Sequence, residues 1–115
     1  MKNRIRAFGY AFNGTRLFIR ENVHARIHLL AVVLITILGF WVGLNREEWI
    51  AVLICFALVL ALEAINSAIE YLTDLVSPEY HELAKKTKDV AAAAVLVSAI
   101  FSAIIAVIIF VPKFI

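Results

Sequence analysis

Charge is missing from this chain in places where a soluble protein would need it. Residues 27–44 and 90–111 contain no Asp, Glu, Lys or Arg. Over all 115 residues only 17% are charged and 63% are apolar, and the mean hydropathy is +0.93. Soluble domains carry charge on roughly a quarter of their residues, so a water-soluble fold is excluded. Glycine is scarce as well. Among the four glycines there is no Gly-x-Gly-x-x-Gly and no Gly-rich loop ending in Gly-Lys-Ser/Thr, which excludes the usual soluble phosphate cradles. Cys55 is the only cysteine and lies in an apolar run. It makes neither an internal disulfide nor a thiolate metal site, and packing is its expected role. No basic run points to nucleic acid. His24, His28 and His81 lack the spacing of metal ligands and read as interfacial. No small-x-small motif follows the first apolar run, so no cleavable leader is expected.

What is present are runs of membrane length. At 1.5 Å per residue the two uncharged stretches cover about 27 and 33 Å, against a hydrocarbon core of about 30 Å. A third run, 49–62, is interrupted by Glu63; beside its neighbours it reads as a span that tolerates acid rather than as a buried soluble helix. In lipid only helices and closed barrels satisfy the backbone. The runs are continuous and too long for strands, which favours helices.

The expected fold is therefore a single all-α integral membrane domain, with an N-terminal amphipathic surface helix over 1–25, spans at 27–44, 49–76 and 88–111, and a cytoplasmic loop at 77–87. In the first segment Ile5, Phe8, Phe12, Leu17 and Ile19 recur near helical spacing between Arg4, Arg6, Arg16 and Arg20, a pattern suited to a helix on a membrane surface. Gly9 and Gly14 mark places where it could break or make a close backbone contact. Trp41 and Trp49 bracket a polar link at the outer interface. Ser77-Pro78 ends the second span and Pro112 the third. Lys2, Arg4, Arg6, Arg16, Arg20, Arg26, Lys85, Lys86 and Lys88 fall on one side, and only Arg46 and Lys113 on the other. That bias places the N-terminus and the 77–87 loop in the cytoplasm.

The second span carries Glu63, Asn66, Ser67, Glu70 and Asp74, which a 100° helical period gathers within roughly 100° of one another. Carboxylates at membrane depth are costly and usually face a protein interior or a polar cavity. Measured from Trp49, Glu63 lies about 21 Å along the helix, Glu70 about 31 Å and Asp74 about 37 Å. Glu63 is thus placed as a base at the depth of a lipid hydroxyl, with potential metal ligands beyond it toward the cytoplasm. Against this stands a plainer reading as capping and interfacial charges, which suits Asp74 far better than Glu63. Lys88, at the head of the third span, offers a point charge to phosphate or snorkels as an interfacial lysine. The alanines at 91–94 let a neighbouring helix approach closely.

These residues resemble the signature of the prokaryotic diacylglycerol kinase family, which includes undecaprenol kinases. The match lies in Glu63-Ala-Ile-Asn-Ser-Ala-Ile-Glu70, Asp74, Pro78-Glu-Tyr-His-Glu-Leu-Ala and Lys88-Asp-Val-Ala-Ala-Ala-Ala-Val. The resemblance implies a homotrimer in a bacterial inner membrane, with active sites shared between subunits, that uses magnesium and ATP to phosphorylate a lipid hydroxyl. It implies that Glu63 is the catalytic base, Glu70 a ligand of the ATP-bound metal, and Asn66 a supporting residue beside Asp74. It further implies that Tyr10, Glu79, Tyr80, His81, Lys88 and Asp89 contact the nucleotide. One position departs from the pattern. The family's second metal-binding glutamate follows the glycine matching Gly14 by eight residues, which lands on Asn22, with Glu21 one step earlier; either residue is a candidate ligand. The substrate is diacylglycerol or undecaprenol. A proton-coupled carrier built on Glu63 is the alternative, although small carriers of this length have four spans and their glutamate in the first.

Overall fold

The computed structural model describes residues 2–115 as four helices: α1 (Lys2–Glu21), α2 (Val23–Val42), α3 (Arg46–Val76) and α4 (Glu82–Phe114). No strand occurs among the described residues. The helices α2, α3 and α4 are each long and apolar enough to cross a membrane. With 31 and 33 residues, α3 and α4 reach about 46 and 50 Å, well beyond a hydrocarbon core of about 30 Å. The ends that carry the acidic row and the lysines therefore have length to spare.

The helix limits differ by a few residues from the expected segments at most ends, and three of the differences have a visible cause. α1 runs unbroken through Gly9 and Gly14, where an added Cβ would meet nothing within 4 Å. The break falls at Asn22, whose backbone is extended (φ −103°, ψ 111°) and whose Oδ1 accepts the Ala25 N–H at 3.2 Å, an N-cap that starts α2. α4 begins at Glu82 instead of Lys88, because His81 Nδ1 caps it by accepting the Leu83 N–H at 3.0 Å. The i,i+4 pairs Lys86–Glu82 and Lys85–Asp89 support that first stretch. Pro112 does not stop α4, which continues to Phe114; so close to the terminus, the hydrogen bond a proline removes breaks no long ladder.

At the opposite end of the bundle, Gly43 adopts a left-handed conformation (φ 74°) and ends α2, with the Gly43 and Leu44 N–H groups both donating to the Gly39 carbonyl. Asn45 and Glu48 then form a reciprocal capping box that starts α3. Phe40 stacks obliquely on Trp49 at 4.8 Å, Trp41 faces Phe114 at 6.0 Å, and Lys113 pairs with Glu48 at 3.0 Å. Leu44, Val52, Ile109 and Phe110 form the buried core below this end. The most extensive packing is α3 on α4. α1 buries no residue and leaves Ile5, Phe8, Tyr10 and Phe12 exposed.

Candidate functional site

α3 buries four polar side chains, Thr73 and a cluster of three: Glu63 is 3% exposed, Ser67 7% and Asn66 8%. Helical spacing puts them on one face, and the α1–α2 junction covers that face. Asn22 is the hinge of the arrangement. Its Oδ1 is committed to capping α2, so its Nδ2 turns toward α3, where it donates to Glu63 Oε1 at 3.1 Å and to Ser67 Oγ. A carboxylate accepts and never donates when ionised, so this orientation of the amide is the one Glu63 requires. His28 approaches the other oxygen: its Nε2 lies 3.6 Å from Glu63 Oε2. That separation is too long for a hydrogen bond and within ion-pair reach of a protonated imidazole.

One turn further toward the C-terminal end of α3, Asn66 Nδ2 donates to Glu70 Oε1 at 3.4 Å, while Asn66 Oδ1 is buried without a partner. The Tyr71 hydroxyl donates to Glu21 Oε2 at 2.7 Å and ties the end of α1 to α3. Together Glu21, Asn22, His24, Glu63, Asn66, Ser67, Glu70 and Tyr71 line an open cleft of about 440 Å³. Beyond it Asp74 pairs with Lys88 of α4 at 2.5 Å.

The structure thus gathers Glu21, Asn22, Glu63, Asn66 and Glu70, and joins Asp74 to Lys88. Tyr10, Glu79, Tyr80, His81 and Asp89 do not line this cleft. Tyr10 and Tyr80 are exposed, His81 caps α4, and Asp89 pairs with Lys85. Sequence reasoning missed two partners. Tyr71 gave no signal beyond its place one residue after Glu70. His28 gave one, as the sole ionisable side chain in the first apolar run, and it was read as interfacial.

Among the described residues no three His, Cys, Asp or Glu side chains close around a point. Such a cage is not what magnesium asks for, since it takes one or two carboxylates and fills its octahedron with water and phosphate oxygens. Glu21 and Glu70 supply two hard oxygen donors in one cleft, beside the unpartnered Asn66 oxygen, so the residues present fit that ion. Asn22 is the weaker donor, because it offers one neutral amide oxygen that already accepts the Ala25 N–H.

The prokaryotic diacylglycerol kinase family model matches residues 9–110. The chain belongs to this family. Undecaprenol kinase of Bacillus subtilis (strain 168) is 37% identical over 108 residues, covering 94% of this chain and 88% of its own length. Diacylglycerol kinase of Escherichia coli (strain K12) is 33% identical over 100 residues, 87% of this chain and 82% of its own. Diacylglycerol kinase of Helicobacter pylori (strain 26695) is 37% identical over 102 residues, 87% and 78% respectively. As a member of the prokaryotic diacylglycerol kinase family the chain is a lipid kinase of the membrane. Nothing in this family supports the carrier alternative.

Proposed function

We propose that this chain moves the terminal phosphoryl group of ATP, with magnesium, to the hydroxyl of a membrane lipid, either diacylglycerol or undecaprenol, at the cytoplasmic side of a bacterial inner membrane. The observation that carries this reading is Glu63: a carboxylate buried between the membrane helices, held by Asn22, at the edge of a cleft that also holds Glu21 and Glu70. Phosphoryl transfer asks a protein mainly for positioning and charge neutralisation. Glu63 accepts the proton of the lipid hydroxyl; each carboxylate oxygen has two lone pairs, so the Asn22 bond leaves room for that proton. Glu70 and Glu21 would hold the metal, and magnesium, when bound, would offset the negative charge of the phosphates. Asn66 steadies Glu70, and Asp74 orients Lys88 of the same chain, which serves the nucleotide held by a neighbouring copy.

Tyr10, Glu79, Tyr80, His81 and Asp89 complete the nucleotide site from a neighbouring copy in a homotrimer. Two features support this division: no Lys or Arg lines the cleft, and α4 contributes nothing to it. α1 lies on the cytoplasmic membrane surface, its exposed Phe8 and Phe12 toward lipid. The deciding experiment is Glu63→Gln in a detergent or bilayer kinase assay. Loss of a general base costs on the order of 10²–10⁴ in turnover, and ATP binding should persist. Near-normal turnover removes Glu63 as the base.

A further inference from the structure

Glu21 has the least support of the carboxylates in the cleft. It is the last residue of α1, a helix that buries none of its residues, and the negative end of a helix dipole does not favour a carboxylate there. No cation offsets this. Glu21 enters no ion pair among the described residues, and Arg26 of α2 is committed to the Ile19 and Arg20 carbonyls at 3.3 and 2.7 Å. A neutral donor holds it instead. The Tyr71 hydroxyl reaches Glu21 Oε2 at 2.7 Å, the one side-chain hydrogen bond between α1 and α3 among the described residues.

We propose that Tyr71 is a positioning residue for the metal: its hydroxyl holds Glu21 by one carboxylate oxygen and presents the other to the ion shared with Glu70. This rests on the lipid-kinase reading, in which Glu21 and Glu70 are the ligands, and adds what brings Glu21 to the site. Glu70 is held in the same way. Its Oε1 accepts from Asn66 Nδ2 at 3.4 Å, so Glu21 Oε1 and Glu70 Oε2 are both left uncommitted among the described residues. Tyr71 directly follows Glu70 on α3 and both line the cleft, which builds the group that steers one ligand beside the other ligand. Neutral donors suit this task, because they orient a carboxylate without cancelling the charge that attracts the ion. Magnesium demands near-ideal octahedral geometry, so a carboxylate at the end of a lightly held helix serves it best when its rotamer is fixed beforehand. The register of the α1–α2 junction gives the tyrosine its purpose. Asn22 faces Glu63 and Ser67, so the carboxylate arrives from position 21, where Tyr71 meets it.

The test measures how much a metal strengthens nucleotide binding. A non-hydrolysable ATP analogue is titrated calorimetrically into full-length protein in detergent micelles, once with Mn2+ and once with a chelator, and the ratio of the two affinities is compared among variants. Tyr71→Phe removes one oxygen from a half-exposed ring. It should lower the ratio about tenfold, the low end of what losing a group that orients a metal ligand costs, and leave the chelator value unchanged. Half-saturating magnesium in the kinase assay should rise by a like factor. Glu21→Gln should lower the ratio too, and Tyr71→Phe should then add nothing to it, because the hydroxyl acts through Glu21.

An unchanged ratio in Tyr71→Phe overturns the proposal, and so does an additive loss in the double variant, which would mean that Tyr71 acts elsewhere. A raised ratio would make the hydroxyl a competitor of the ion, with the same result. A chelator value that falls together with the metal value would reduce Tyr71 to a strap on α1 and also overturn it. Should Tyr71→Phe not fold, Tyr71→Met, an unbranched helix former without a donor, takes its place. A ratio that Glu21→Gln leaves unchanged, or wild-type protein in which Mn2+ adds nothing to nucleotide binding, counts instead against the metal site of the kinase reading.

Discussion

At the scale of single residues, the site turns on which of two neighbours does which job. The sequence left Glu21 and Asn22 as equal candidates because counting from Gly14 fixes a position and says nothing about side-chain direction. The break between α1 and α2 separates them: Glu21 ends one helix and faces Tyr71, while Asn22 caps the next and faces Glu63. Glu21→Ala should raise the magnesium concentration needed for half-maximal activity. Asn22→Ala should leave that titration in place, lower kcat by releasing Glu63, and cost about 1 kcal/mol of stability through the lost cap. A magnesium titration of both variants decides; a shift in the Asn22 variant alone reverses the assignment. Glu63 itself was legible from the sequence, since a lone carboxylate inside an apolar run has few other uses. His28 was not, because its contact crosses 35 positions and only the packing of α2 on α3 creates it.

At the scale of elements, the number and order of the helices were readable from the uncharged runs, and their ends were not. Membrane length fixes how much of a helix must be apolar, whereas its ends are set by caps that hydropathy does not report. His81 starts α4 six residues before the expected span start at Lys88, and Asn22, not a glycine, divides α1 from α2. The glycine that does matter structurally is Gly39. A Cβ there would lie 2.7 Å from the Trp49 ring and 2.9 Å from Leu44. A ring held between Phe40 and the helix has little room to yield, so Gly39→Ala should destabilise the protein by about 1–3 kcal/mol, the usual range for overpacking. Gly39 sits at the end of the bundle away from the cleft. The unfolding temperature in detergent should therefore fall while KM for ATP stays unchanged; an unaltered unfolding temperature would mean the Trp49 contact is not tight.

At the scale of the whole molecule, one chain brings Glu63, Glu21 and Glu70 to a cleft lined by no Lys or Arg. Its α4 packs against α3 yet lends that cleft no side chain, and Lys88 spends its charge on Asp74. In the proposed homotrimer, α4 of one copy set beside α3 of the next would bring a basic side chain to the phosphates. Residue spacing alone does not report such a contact, because residues that meet across an interface share none; only the family resemblance implied it. Subunit mixing tests it. Glu63→Gln and Lys88→Ala are each inactive under this scheme. Unfolded, mixed one to one and refolded together, they assemble at random, and a shared site is whole only when its base comes from a Lys88→Ala chain and its lysine from a Glu63→Gln chain. Each condition holds half the time, so roughly a quarter of wild-type activity should return in the closed ring of a cyclic oligomer. If Lys88 serves the cleft of its own chain, every site in the mixture carries one defect and no activity returns, which would confine catalysis to single subunits and leave the trimer without a catalytic reason.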